Sequence, residues 1–301
     1  MQDGKTVKQE YKHRPVLVKE VLSFLITDRE GVYVDCTTGE GGHAQKILEA
    51  LSGNARLIGI DLDAAALEIA ERRLKTITPF RNFLLIKDNF INIRKILKKM
   101  NISEIDGVLF DLGVSSFQLD NPERGFSFRY NGPLDMRMDT DSRLNASYIV
   151  NNFSFEELVE IFYKFGEEPQ AKRIARAIIQ EREKRPVEST ASLAGIIERA
   201  VRFRGRIHPA TRVFQALRIA VNRELENLKE GIREAILSLK ACGRICVLSF
   251  HSLEDRIVKN EFKSSPYLKI ITRKPITPGK EEIKINPRAR SAKLRVAEKT
   301  G

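Results

Sequence analysis

The sequence predicts an α/β fold in which a seven-stranded sheet is interrupted by an inserted all-helical domain. Three observations indicate this fold: short apolar runs alternate with helical patterns in the first third, a glycine-rich turn follows the first run, and strand patterns return only after a long helical stretch. Alternating strands and helices imply right-handed crossovers and a parallel sheet. We expect the sheet domain to comprise residues 1–115 and 211–301, and the helical insert residues 116–210.

The first four strands are predicted at residues 32–35, 57–61, 83–87 and 107–111. Helical patterns near residues 43–51, 64–75 and 91–100 separate them. The alternation then stops at a loop-rich stretch, residues 113–143, where neither the helical nor the strand period holds. Such a long loop in a compact domain is usually functional or disordered.

The insert is predicted from helical patterns with no strand signal between them. Ser154 and Glu157 have the spacing of a capping box, and apolar residues then recur at helical intervals as far as Val201. Strand patterns resume at residues 243–250, 268–272 and 293–297. The amphipathic stretch before them, residues 211–239, predicts two helices broken near Gly231.

Composition limits the partners and the class of the protein. The 301 residues suffice for about two domains, and the formal net charge of +12 favours encounter with polyanions such as nucleic acid. No apolar run approaches the roughly 18 residues of a membrane helix, and the N-terminus lacks a signal-peptide pattern, so we expect a cytoplasmic protein. The three cysteines form no C-x-x-C pair, and no metal site is predicted.

The glycine-rich turn is the strongest functional signal. An apolar strand ends at Asp35 and runs into Gly39, Gly41 and Gly42, after which a helix begins. Glycines let a ligand approach the backbone, and the helix N-terminus faces that ligand. A carboxylate at Asp35 would repel a pyrophosphate but would attract the cationic end of S-adenosylmethionine. Asp61, at the end of the next strand, can accept hydrogen bonds from ribose hydroxyls, as in dinucleotide sites too.

Other side chains follow strands at the same predicted edge. Phe90 follows the third strand and can pack on an adenine face, and Asp111 ends the fourth strand, where donor and acceptor would meet. The sequence His251 to Glu254 offers only two metal ligands, and no nucleophile-elbow pattern is present, so neither a metal pair nor a hydrolase is expected.

Basic residues are concentrated in the insert and at its borders. From Lys164 to Arg223 there are 14 Lys or Arg, 6 Glu and no Asp, and residues 286–291 add a further basic cluster. A charge run is usually a solvated helix face, but beside a cofactor site these clusters, which include Arg202, Arg204 and Arg206, favour a track for a phosphate backbone.

Seven strings of the chain resemble the bacterial 16S ribosomal RNA cytosine-4-amino methyltransferase family, subfamily H, from about Tyr11 to Thr300. These strings are Asp35-Cys-Thr-Thr-Gly-Glu-Gly-Gly-His43, Asp111-Leu-Gly-Val-Ser-Ser-Phe-Gln-Leu-Asp120, Arg124-Gly-Phe-Ser-Phe128, Gly132-Pro-Leu-Asp-Met-Arg-Met138, His208-Pro-Ala-Thr-Arg-Val-Phe-Gln-Ala-Leu-Arg218, Ser249-Phe-His-Ser-Leu-Glu-Asp-Arg256 and Asn286-Pro-Arg-Ala-Arg-Ser291. The departures are slight: Ala44, Cys242 and Phe165 stand where Ser, Gly and Tyr are common.

The resemblance implies a Rossmann-like class I S-adenosylmethionine-dependent methyltransferase. It implies methyl transfer to the 4-amino group of a cytidine in the decoding region of 16S ribosomal RNA, with the small ribosomal subunit as partner. It also implies donor contacts, which match this sequence at Gly41, Gly42, His43, Asp61, Phe90, Asp111 and Gln118.

The amine of cytosine is a poor nucleophile because its lone pair is delocalised into the ring. Asp111 is our first candidate for the group that orients this amine, although the resemblance also assigns it a donor contact. The common Asn/Asp/Ser-Pro-Pro-aromatic motif is absent, since the fourth strand ends in Asp111-Leu-Gly-Val. We expect Phe126, Phe128 or Phe250 to hold the splayed base by stacking.

Two alternatives of other classes stay open at this point. An NAD-binding oxidoreductase is compatible with the glycine turn and Asp61, but it would need a second nucleotide-binding half. A non-catalytic ribosome-binding protein would use the basic insert and have no use for the glycine turn.

Overall fold

The computed structural model describes residues 14–77, 82–201 and 208–301. Within this part of the chain seven strands form one sheet, which confirms the predicted α/β class. The strands are β1 (Val32–Asp35), β2 (Arg56–Asp61), β3 (Asn82–Lys87), β4 (Ile105–Asp111), β5 (Leu239–Ser249), β6 (Leu268–Ile270) and β7 (Lys293–Lys299).

The sheet order is β3-β2-β1-β4-β5-β7-β6. Neighbours from β3 to β5 run parallel, whereas β7 lies antiparallel between β5 and β6. The chain winds outward in opposite directions from β1 and β4, so the topological switch point lies between these two strands. Ligands of open α/β sheets bind at the carboxyl ends of the strands beside such a point.

Thirteen α-helices are found among the described residues. They are α1 (Val18–Leu25), α2 (Gly42–Ala50), α3 (Ala64–Lys75), α4 (Ile93–Lys99), α5 (Ser116–Asp120), α6 (Ala146–Asn152), α7 (Phe155–Gly166), α8 (Ala171–Arg182), α9 (Thr190–Ala200), α10 (Ala210–Asn222), α11 (Glu224–Ser238), α12 (Ser252–Ser264) and α13 (Lys280–Ile285). Short 3₁₀ turns occur at Phe90–Asn92, Pro122–Arg124 and Pro287–Ser291.

Two apolar layers cover the sheet. Successive strand residues point to opposite faces, so Tyr33 packs with α1 and α2 while Val34 packs with α4, α11 and α12. Both residues are fully buried. The central strands β1, β2 and β4 are buried on both faces, which explains why their predicted runs are continuously apolar.

A separate apolar core joins helices α6 to α10, which we call the helical cluster. Phe162, Ile174, Leu193 and Leu217 are among its fully buried residues. The capping box predicted at the start of α7 is present, with the Glu157 N–H donating to Ser154 Oγ and the Ser154 N–H to Glu157 Oε2. The cluster includes α10, and the domain boundary at residue 210 stays a prediction.

The break predicted near Gly231 is wrong. The chain turns instead at Arg223, whose φ of 51° is left-handed, and Gly231 lies inside α11. A Cβ atom at Gly231 would lie 2.4 Å from the Phe90 ring, so this glycine permits close packing of α11 on the segment after β3.

The stretch of residues 113–143 contains more regular structure than its sequence indicates. It includes α5, which begins with a capping box between Ser115 and Gln118, and a 3₁₀ turn at Pro122–Arg124. Helices this short give no periodic signal that a sequence pattern can detect.

Candidate functional site

A cavity of about 340 Å³ opens at the carboxyl ends of β1 to β5. The predicted donor contacts Gly42, His43, Asp61, Phe90, Asp111 and Gln118 all line it. They come from separate strands, helices and loops, and the parallel sheet brings them to one edge, as the strand-end argument predicts.

Gly41 is not among the lining residues. It has a φ of +77° in the turn before α2, and a Cβ atom there would lie 3.1 Å from Ala70 of α3. Only glycine adopts this conformation without strain, and only glycine leaves room for α3. A direct contact of Gly41 with a donor stays a prediction, while its place in the turn is visible.

Asp61 fastens the glycine turn to β2. Its Oδ2 accepts a hydrogen bond from the Gly39 N–H at 2.7 Å, and its Oδ1 accepts one from the Asp63 N–H at 2.9 Å. Burial raises the pKa of Asp61 to about 6, against the opposing effect of these backbone donors. A carboxylate at the strand end therefore both shapes the turn and faces the cavity.

His43 is held at both ring nitrogens. Nε2 lies 2.9 Å from the Val16 carbonyl oxygen, and Nδ1 lies 3.0 Å from Asp111 Oδ2. A carbonyl only accepts, so Nε2 carries a proton, and the contact between Nδ1 and Oδ2 requires a second, shared proton. Burial lowers the pKa of His43, but Asp111 and Asp35 outweigh it and hold the pKa above its usual value.

Asp111 and Asp35 each have a buried oxygen without a hydrogen-bond partner among the described residues, Asp111 Oδ1 and Asp35 Oδ2. Asp111 lines the cavity, whereas Asp35 is not among its lining residues. Burial raises the pKa of Asp35 to about 7 although His43 opposes the shift. An unpaired buried acceptor beside a cavity is suited to a ligand that donates hydrogen bonds or carries positive charge.

The Gln118 side chain is oriented by the protein at both ends. Its Oε1 accepts from the Ser115 N–H at 3.1 Å, and its Nε2 donates to Asp63 Oδ2 at 2.9 Å. Asp63 also caps α3 and receives Arg124 Nη1 at 2.6 Å. The sequence reasoning missed Asp63, although an Asp immediately before a helical Ala-rich pattern is an N-cap signal.

The aromatic predictions have different outcomes. Phe90 lines the cavity and meets Phe110 edge-on with ring centroids 5.3 Å apart, and Phe250 also lines it. Phe126 is buried in the core of the helical cluster, and Phe128 stacks on His208 at 4.6 Å. Neither Phe126 nor Phe128 lines the cavity, so only Phe250 of the three base-stacking candidates is positioned there.

Two arginines that line the cavity had no individual role in the sequence reasoning. Arg288, in the 3₁₀ turn after α13, donates to Ser116 Oγ at 2.5 Å and to Asp120 Oδ1 at 2.6 Å. Arg218, in α10, binds Glu224 through Nε and Nη2, both at 2.8 Å. Both lie in segments that resemble the family, but the resemblance implies no function for either side chain.

The structure also brings a third potential ligand to the pair His251 and Glu254. Glu224 joins them, and the three could in principle hold a metal ion. However, the Arg218 guanidinium already occupies Glu224 and lies 4.0 Å from Glu254. The positive charge beside Glu224 and Glu254 is therefore supplied by the Arg218 side chain.

The basic residues of the insert are partly described. Lys172, Arg173, Lys184 and Arg185 are exposed on or just after α8. The predicted contacts at Arg202, Arg204 and Arg206 lie outside the described residues. Among the described residues, no helix combines the length and the apolar character needed to cross a membrane.

The family model and the similar relatives cover nearly the whole chain. Residues 10–300 match the family model of the MraW methylase family. The ribosomal RNA small subunit methyltransferase H of Halothermothrix orenii is 50% identical and covers 96% of this chain and 98% of its own. The protein of the same name from Carboxydothermus hydrogenoformans is 49% identical with coverages of 96% and 98%. A solved rRNA methylase from Streptococcus thermophilus is 13% identical, covers 94% of each chain and has a TM-score of 0.45.

Proposed function

The chain belongs to the MraW methylase family, and from this premise we propose that it methylates the 4-amino group of a cytidine in the decoding region of 16S ribosomal RNA. The observation that carries the proposal is the buried, unpaired Asp111 Oδ1 at the cavity formed by the glycine turn and Asp61. The names of the relatives support small-subunit ribosomal RNA as the substrate. The partner is then the small ribosomal subunit, met in the cytoplasm.

The methyl donor is S-adenosylmethionine, which supplies an electrophilic methyl group on a sulfonium when bound. The cavity suits its chemistry because carboxylates at Asp61 and Asp111 meet a ligand that has a cationic end and no phosphate. The unpaired Oδ1 of Asp111 is the acceptor that an ammonium group would satisfy.

Each donor-binding residue has a definite part in this proposal. Asp61 accepts the ribose hydroxyls, and Phe90 packs against the adenine. Gly42 offers its backbone at the N-terminus of α2. Since both ring nitrogens of His43 bind protein groups, His43 contributes its backbone and the face of its ring. Gln118 completes the wall with an amide that Asp63 keeps in place.

The alternatives fit the cavity less well. A dinucleotide would bring its pyrophosphate into the cavity beside the Asp111 carboxylate, which would repel it. A non-catalytic ribosome-binding protein would not require a buried histidine and carboxylate pair at a cavity.

Asp111 has a second part once the acceptor base is present. A hydrogen bond from the amine to Asp111 would raise the electron density at the nitrogen that receives the methyl group, and the carboxylate would take the proton that this nitrogen releases. Holding both groups in one cavity supplies much of the remaining rate. His43 fixes the carboxylate from the other side through Oδ2 at 3.0 Å. Donor and base are bound together during transfer, so in this step Oδ1 of Asp111 accepts from the amine while Oδ2 stays with His43.

Methylation at a ring carbon of the pyrimidine is disfavoured by the cysteines. That reaction usually requires a thiolate nucleophile. Cys36 lines the cavity, but burial and the neighbouring Asp35 raise its pKa well above the usual value. Burial raises the pKa of Cys246 to about 12. Both side chains therefore remain thiols near neutral pH.

The decisive experiment combines purified protein, labelled donor and small subunits from cells that lack this activity. We expect label in one cytidine, which nuclease digestion and mass spectrometry identify as 4-amino-methylated. Asp111→Ala should abolish transfer with donor saturating, whereas Asp141→Ala, an exposed carboxylate outside the cavity, should transfer normally. Label on a ring carbon or on a purine contradicts the amine mechanism. Normal transfer by Asp111→Ala would move amine orientation to another group, such as a backbone carbonyl of residues 112–116.

A further inference from the structure

Arg218 is a cation at a cavity that must also accept a cationic donor. Its side chain, 15% exposed, lines the cavity together with Asp111 and Phe250. An arginine side chain only donates hydrogen bonds, and the Glu224 carboxylate outweighs burial and raises its pKa above an already high value. It is therefore a permanent donor next to the proposed acceptor site.

The guanidinium is held in one orientation. Nε and Nη2 each bind a different oxygen of Glu224 at 2.8 Å, which is the bidentate geometry of arginine and carboxylate. Nη1 has no hydrogen-bond partner in the part of the chain that the structure describes, and it is not sealed from solvent. One nitrogen of a fixed fork is thus left for a ligand of the cavity.

The surrounding charge indicates what kind of ligand this is. Glu224 and, at 4.0 Å, Glu254 place two carboxylates on one guanidinium. Their charge offsets that of Arg218, so the site does not repel a sulfonium and does not attract a phosphate or a carboxylate. A neutral acceptor atom can still use the Nη1 donor.

Arg288, the other arginine of the cavity, differs in this respect. Its side chain is 42% exposed, and its two terminal nitrogens are taken by Ser116 and Asp120. Its position at the rim suits a contact with the RNA backbone, whereas Arg218 lies deeper. The two arginines therefore offer different chemistry to the substrate.

Cytosine presents a donor and an acceptor side by side, because the 4-amino group donates a hydrogen bond and the neighbouring N3 accepts one. We propose that Arg218 is a specificity-determining residue that donates from Nη1 to N3 of the target cytosine while Asp111 accepts from its amine. Uracil presents the reverse pattern, with O4 facing a carboxylate and N3–H facing a guanidinium. The inference rests on the proposed function, because it takes the 4-amino group as the methylated position.

The test is a double-mutant cycle in which one change is made in the protein and the other in the target base. Small subunits are assembled with 16S RNA carrying either cytidine or 3-deazacytidine, which has C–H in place of N3, at the methylated position. The variant is Arg218→Met with Glu224→Gln, because removing the arginine alone would leave Glu224 without its partner. Arg244→Met with Glu298→Gln removes a comparable Arg–Glu pair outside the cavity and serves as the matched control.

With cytidine, we expect the Arg218 variant to lose about 10- to 100-fold in kcat/KM, the value of one hydrogen bond to a charged donor. The loss on changing cytidine to 3-deazacytidine should be at least about tenfold smaller in this variant than in the wild type. The cycle cancels the change in amine reactivity that the base analogue itself causes. The control pair should behave as the wild type does.

Other results overturn the inference. Equal losses from the analogue in both enzymes exclude a contact with N3. A weaker affinity of the variant for S-adenosylmethionine would assign Arg218 to the donor, and a flatter salt dependence of RNA binding would assign it to a phosphate. Absence of amine methylation by the wild type on unmodified cytidine is a different failure, since it contradicts the proposed function itself.

Discussion

Asp61 has two partners that a sequence pattern does not distinguish. As a strand-end carboxylate it is proposed to bind a ribose, and in the structure it accepts a hydrogen bond from the Gly39 N–H. Loss of the side chain therefore removes a ligand contact and loosens the turn. Its pKa of about 6 makes its charge sensitive to mildly acidic conditions.

We expect Asp61→Ala to weaken binding of S-adenosylmethionine at pH 8 by about 1.5–3 kcal/mol, the value of charge-assisted hydrogen bonds. Because the folded carboxyl takes up a proton as the pH falls through about 6, wild-type affinity should drop there and approach that of the variant. Titration calorimetry between pH 5 and pH 8 measures both effects.

Glu71→Ala, which removes an exposed carboxylate of α3, is the control and should bind donor as the wild type does. A variant at Asp61 that binds as tightly as the wild type at pH 8 contradicts the ribose role. Affinity losses from the substitution that stay equal across this pH range would contradict the uptake of a proton by Asp61 near pH 6.

The site residues that end strands could be predicted from the sequence. The site residues that are held by hydrogen bonds between distant parts of the chain could not. Asp61 and Asp111 follow from apolar runs that stop at an acidic residue. Asp63, Gln118 and Arg124 form one buried polar group, but 55 and 61 positions separate the last two from Asp63. No local pattern encodes such a contact, because it depends on how the loop after β4 returns over β2.

Among the elements, the glycine turn shows most directly how backbone conformation positions the site. Gly39 and Gly41 both have positive φ, and α2 begins immediately afterwards. The approach of α2 to α3 depends on the absence of a Cβ atom at Gly41.

Gly41→Ala should lower the free energy of unfolding by about 1–3 kcal/mol, from the left-handed backbone and from the contact with Ala70. Urea unfolding followed by circular dichroism measures this change. Gly53→Ala is the matched control, because nothing lies within 4 Å of its Cβ position. Its stability should stay within about 0.5 kcal/mol of the wild type. Equal stability of the two variants would contradict the crowding argument.

The end of α10 shows why a glycine is a poor guide to helix boundaries. Gly231 predicted a break because glycine lowers helix propensity. In the structure the break falls at Arg223, and the glycine accommodates Phe90. Propensity was overridden by packing, and the ion pair between Arg218 and Glu224 spans the actual break. This pair could not be predicted while residues 211–239 were assigned a break at the wrong position.

At the scale of the whole molecule, the net charge of +12 and the basic insert fit a substrate that is a polyanion. The seven-strand sheet and the insert's helical character were predictable from periodicity alone. The packing of α10 against the other helices of the cluster was not predictable. The apolar face of an amphipathic helix does not show whether it will cover the sheet or another helix.

Replacing Arg202, Arg204 and Arg206 by Ala tests the predicted phosphate contacts, at positions outside the described residues. RNA affinity should fall, and the slope of log affinity against log salt should flatten by about 0.7–0.9 per lost contact. Filter binding at several salt concentrations measures this slope, and donor affinity should not change.

The control for this prediction removes the same charge elsewhere. Lys46, Arg72 and Lys75 lie on α2 and α3, and their replacement by Ala should leave the slope closer to that of the wild type. Equal flattening in both variants would show that net charge alone, and no particular contact, governs RNA affinity.

The cavity has walls from both ends of the described chain. Val16 accepts the hydrogen bond of His43, and Asn286, which also lines the cavity, donates to the Arg14 carbonyl oxygen beside it. Strand β7 enters the sheet between two strands made before it. During synthesis on a ribosome, residues 286–299 emerge after nearly everything they must pack against. The nascent protein therefore cannot complete the wall of this cavity until this segment has left the exit tunnel.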